Sequence, residues 1–194
     1  MSDITNRDLV ELKRLAEDGR RLTLPGWEFA LLWGTLVVLA DTLSYAALRG
    51  TIVLPITAVW IAFIVLGWAG SMILGARLRR DPRAPALANR LTAATWISVG
   101  CGITACFVGV LVSNQVPGQI MVPIAHSGMG IAFGVLGALT GRRWLFLIAL
   151  GWWTTVVAGF LMLDRVEILL LSAGGAMFLL VLPALALARA ARDA

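Results

Sequence analysis

The chain has 194 residues, 59% of them hydrophobic and only 14% charged, with a mean hydropathy of +0.87. A water-soluble domain is roughly 45–50% apolar and about 25% charged, so that class is excluded. The net charge of +5 is no nucleic-acid signature, because the basic residues mark corners between apolar stretches rather than a continuous patch.

Residues 1–22 read as a cytoplasmic segment containing a short amphipathic helix over 5–18. Thr5 and Asp8 fit a capping box, and Ile4 and Leu9 a hydrophobic staple. Leu9, Leu12 and Ala16 recur at helical spacing, and Gly19 suits the stop. Charged residues through the first 21 positions argue against a cleavable signal peptide. Up to residue 18 five acids face three bases, too acidic a balance for a helix lying on anionic lipid. Such a helix either docks on the arginine-rich loops of its own protein or binds a cytoplasmic protein partner.

Residues 23–194 contain six apolar stretches, at about 27–48, 53–75, 91–112, 120–140, 144–163 and 168–188. Each approaches the ~20 residues that cross a ~30 Å hydrocarbon core. The expected fold is an all-α integral membrane protein, a bundle of six transmembrane helices. Fourteen of the sixteen Lys+Arg residues precede the first stretch or follow the second, fourth and sixth. Basic residues near span ends are held on the cytoplasmic side, so both termini are expected inside. Arg77, Arg79, Arg80 and Arg83 would then meet anionic lipid headgroups. The corner Arg77–Arg90 carries Asp81-Pro82 and Ala84-Pro85 and is expected to be extended. Fifteen Arg against one Lys fits a GC-rich bacterial gene and hence a cell inner membrane.

The second and fourth stretches share a heptapeptide, Ile61–Gly67 and Ile131–Gly137, identical at six of seven positions. Three helical hairpins of similar design would explain it. Small residues at four-residue spacing let helix backbones approach where lipid removes the hydrophobic drive. They form ridges at Gly67, Ser71 and Gly75; at Gly130 and Gly134, with Gly137 and Gly141; and at Gly151, Thr155 and Gly159. These serve either the protein's own packing or a homodimer seam. Pro183 should bend the sixth stretch near its end.

Ionisable residues inside spans are the best functional pointers, since burying them is costly. Glu28 borders an interface and needs only an arginine. Asp41 and His126 each fall about 9 Å below the outer surface, reckoned at ~1.5 Å per residue. If they meet, they would titrate as a coupled pair, with Tyr45, Thr42 and Ser44 extending the polar cluster outward. The alternative is a static clamp, with Asp41 accepting from Tyr45, His126 or Arg49, and His126 held by a carbonyl freed near Pro123. The single histidine excludes multi-histidine metal centres, no enzyme motif occurs, and no cofactor is expected. Two functions remain. One is a non-enzymatic regulatory, sensory or accessory subunit acting by association through a cytoplasmic surface. The other is a transporter or channel for a small solute, ion or proton, using Asp41 and His126.

Overall fold

A computed structural model describes residues 10, 27–78, 86–113 and 115–192. Apart from Val10, the expected helix over 5–18 lies outside the described residues, as do Arg79, Arg80 and Arg83, expected at lipid headgroups. The chain is helical, with no strand among those residues: α1 (Trp27–Leu48), α2 (Ile56–Leu78), α3 (Ala86–Ser113), α4 (Met121–Thr140), α5 (Arg143–Phe160), α6 (Ile168–Ala176) and α7 (Leu182–Arg192). A π-helical turn, Met177–Val181, joins α6 to α7, so these form one continuous last segment. Six helices are long and apolar enough to cross a membrane. Large apolar side chains face outward all along them, including Ile61, Val65 and Met72 on α2 and Ile97, Val108 and Val112 on α3. A helix apolar on every side is built for lipid or a large core, so the chain reads as a multi-pass membrane protein.

The turns follow from local chemistry. Gly50 adopts φ 74°, with Thr51 N–H reaching Ala46 O and Gly50 N–H reaching Ala47 O, both at 3.0 Å. This double closure ends α1 and needs a left-handed residue that glycine supplies without strain. Gly141 does the same for α4, at φ 67°. It was expected on a packing ridge; it is instead a helix stop.

Most of the expected small residues receive a neighbour. The α4–α5 pair is a zipper of notches: Gly159 lies against Pro123, Gly130 and Gly134 against the Trp153 indole, and Gly137 against Phe146. The pairs run in opposite directions along the two helices, as a short antiparallel turn requires. Gly67 lies under the Trp33 ring, whose Nε1 donates to Ser71 Oγ at 2.9 Å, so α2 is fastened to α1. Gly151 receives Leu179, and Gly175 faces the Thr155 methyl. At Gly75 an added methyl would meet nothing within 4 Å.

Two boundaries differ from expectation. α3 starts at Ala86, inside the corner expected to be extended, because Ala86, Leu87 and Ala88 are strong helix formers whether or not lipid surrounds them. The sixth stretch does not simply bend at Pro183. It widens one turn earlier, where Leu182 N–H bonds Met177 O. A proline ring crowds the carbonyl four residues back, here Leu179, and an i→i+5 turn opens room for it. Gly34 of α1 sits against this wide turn: a Cβ there would lie 2.8 Å from Val181 and 3.1 Å from Leu180.

The core lies between α1, α4, α5 and the last segment, around Phe133, Leu145, Ile148, Trp152, Ala176 and Leu180. A smaller cluster of Val122, Ile168 and Leu169, with Tyr45 against it, closes one end. α2 flanks α1, and α3 flanks α4.

Candidate functional site

Helical periodicity gives α1 one buried stripe, Gly34, Ala40, Asp41 and Ser44, and that stripe packs on α6 and the wide turn. Asp41 is therefore driven inward by the register of its neighbours, at 0% exposure, with Ser44 at 1% one turn further on. On α4 the buried face of Val122, Gly130, Phe133 and Gly137 carries His126 with it, at 3% exposure. On α6, Ser172 is 5% exposed, between buried Leu169 and Ala173.

These side chains converge through Ser172. Its hydroxyl lies 3.1 Å from His126 Nε2 and is close enough to the Asp41 carboxyl to act on it electrostatically. Neither carboxylate oxygen, however, is aligned for a hydrogen bond, and Ser44 Oγ and His126 Nδ1 also have no partner. Against the imidazole stands Trp152, with ring centroids 4.8 Å apart and planes at 62°, and a methyl added at Gly175 would lie 3.8 Å from His126 Cε1. A buried Asp, two hydroxyls and an imidazole thus share one buried region contributed by α1, α4 and α6.

No family model matches the chain, and no curated protein or solved structure is significantly similar to it. The reading rests on the geometry alone.

Asp41 and His126 were expected either to pair or to be clamped separately. They form no ion pair with each other; Ser172, which sequence reasoning overlooked, stands between them. The clamp partners are otherwise engaged. Arg49 lies 3.9 Å from Glu167 at the exposed end, with its guanidinium 5.8 Å over the Tyr45 ring. Tyr45 is half-buried in the Val122–Ile168 cluster rather than hydrogen-bonded to the carboxyl. Thr42 is exposed and turns back to Val38 O at 2.6 Å, outside the junction. His126 finds a hydroxyl, not a carbonyl near Pro123. Glu28, expected to need only an arginine, keeps one carboxylate oxygen buried without a partner.

Two chemistries fit a hydroxyl between an imidazole and a carboxyl. In a nucleophilic triad the carboxylate orients the imidazole through its second nitrogen. Here Nδ1 is unpartnered and Asp41 touches the hydroxyl instead. The order Asp41–Ser172–His126 is that of a relay, in which a hydroxyl accepts on one side and donates on the other.

Proposed function

We propose that the chain is a six-span integral membrane protein with both termini cytoplasmic, in a cell inner membrane, whose Asp41–Ser172–His126 junction takes up and releases a proton or small cation in transport. The observation that carries this reading is a fully buried carboxyl with unpaired oxygens that meets polar groups from two other spans. An ionised residue at span depth costs at least about 2.5–3.5 kcal/mol, and an apolar side chain of equal volume would pack as well or better. A group kept at that cost has work to do. The π-turn in the last segment is in keeping, since such turns recur at functional sites.

The test is flux. In liposomes carrying the purified chain, an imposed proton or sodium gradient should collapse faster than in empty vesicles, and Asp41→Asn should cut the difference at least tenfold. A variant that loses only thermal stability, with flux unchanged, would sink the reading.

The second reading is association, as a regulatory, sensory or accessory subunit. It is favoured by α2 and α3, whose apolar windows are 6% and 0% buried within the chain. Those flanks would suit a second copy or another membrane protein, with residues 5–18 offered to a cytoplasmic partner. Deleting residues 1–21 separates the readings. Loss of a co-purifying protein speaks for association; flux that survives the deletion speaks for transport.

A further inference from the structure

We infer that Asp41, Ser44 and Ser172 form a binding site for one dehydrated monovalent cation of the size of Na⁺. The inference rests on the junction's handling a cation, as proposed above, and names the species.

The unpaired atoms carry the argument. Hydroxyls on spanning helices ordinarily satisfy themselves by bonding the carbonyl one turn back. Thr42, Thr95, Thr140 and Thr154 all do so, at 2.6–2.9 Å. Ser44 does not, although it is almost wholly buried. Ser44 stands one helical turn beyond Asp41, whose two carboxylate oxygens are likewise unpartnered, on the same buried stripe. Ser172 adds a fourth oxygen. In the His126 tautomer whose Nε2 accepts the Ser172 proton, both lone pairs of that hydroxyl are free for a cation.

Charge then selects the occupant. The junction holds one carboxyl, and Arg49 is engaged with Glu167 at the surface. The missing charge is therefore +1. A divalent ion wants more carboxylates, or retained waters, than a sealed site of this composition supplies. No group of three His, Cys, Asp or Glu side chains that could hold a transition metal occurs among the described residues. A proton on Asp41 would supply the charge but engage one oxygen, leaving Ser44 Oγ and the second carboxylate oxygen unmatched at a real desolvation cost. A water molecule would engage the oxygens but bring no charge. A small monovalent cation does both.

Protons compete for the same carboxyl. Among the described residues, the titratable group that meets Ser172 from a neighbouring helix is His126 of α4. From α5 and the last segment come Trp152, Thr155 and Gly175, which do not titrate, while Tyr45, Arg49 and Glu167 lie toward the surface.

The experiment is thermal unfolding of the purified chain in a non-ionic detergent, with NaCl exchanged for choline chloride at constant ionic strength. Tm should rise saturably with Na⁺ and less with the larger K⁺. The rise should vanish in Asp41→Asn, and in Ser44→Ala half-saturation should move to about tenfold higher Na⁺, the worth of one ligand to a charged group. Thr42→Ala, whose hydroxyl serves its own backbone, should behave as the parent. Equal Tm in Na⁺ and choline, with Asp41-dependent proton flux intact, would overturn the inference while leaving the transport reading standing. Indifference to Na⁺ together with absent proton and sodium flux would overturn both. Should Asp41→Asn not fold, Ser44→Ala against Thr42→Ala decides, and identical Na⁺ curves would overturn the inference.

Discussion

Thr42 and Ser44 stand two residues apart on α1 and meet opposite fates. One closes on Val38 O at 2.6 Å; the other is buried with its hydroxyl unmatched. The difference is helical phase, since two residues are about 200° of rotation. Phase likewise carries Asp41 into the core and leaves Leu39 and Leu43 outside. Ser172 is the pivot of the junction, and Ser172→Ala would strand a buried imidazole nitrogen. We expect a loss of about 1–3 kcal/mol in thermal or denaturant unfolding, with Ser172→Thr recovering part of it. Gly34→Ala should also cost about 1–3 kcal/mol, because its methyl meets Val181 and the Leu180 Cβ, neither of which is a flexible tip. Gly102→Ala, with nothing within 4 Å, should be neutral or gain up to about 1 kcal/mol in helix propensity. Asp41 and His126 were legible in the sequence because an ionisable group in an apolar run must be explained. Ser172 was not, because a lone serine in a span can satisfy itself.

At the scale of elements, the small-residue ridges located helix contacts but not what would fill them. Trp33, Trp153 and Phe146 do so, and aromatic side chains inserted into glycine notches give each pair its register. Trp68 is among the tryptophans whose places suit an interfacial belt, yet it donates to Thr104 at 3.4 Å, and Trp33 donates to Ser71. These bonds tie α2 to α1 and α3 to α2. A double-mutant cycle of Trp33→Phe and Ser71→Ala should give a coupling of about 0.6 kcal/mol, the usual size for such bonds between membrane helices. A cycle indistinguishable from zero would mean that the indole packs on Gly67 without an energetically useful bond. The wide turn shows where one-dimensional reasoning stops. Pro183 announced a disturbance, but whether a proline bends a helix or widens it depends on what the neighbouring helix allows. Here Gly34 of α1 leaves room for Leu180 and Val181 to move outward.

Across the whole molecule, the arrangement of arginines predicts which ends face the cytoplasm. Cys101 and Cys106 lie exposed on α3, so replacing both by Ala should leave the unfolding free energy within about 0.5 kcal/mol of the parent. In that background a cysteine placed at Gly50 should react with an impermeant maleimide from outside intact cells, and one at Gly141 only after lysis. The reverse pattern would invert the proposed topology. Chain length, apolar runs and charge placement were enough for the count of spanning helices and for their proposed orientation, because both depend on how single segments partition between water and hydrocarbon. Partition is nearly local: a stretch of about 20 apolar residues is a span whatever surrounds it. The meeting of Asp41, Ser172 and His126 is not local. It depends on which helices are neighbours and on the rotation of each about its axis, and those follow from notches and aromatics fitting together in three dimensions. The residues of the junction stand in plain view along the chain, but only the packed helices bring them to one another.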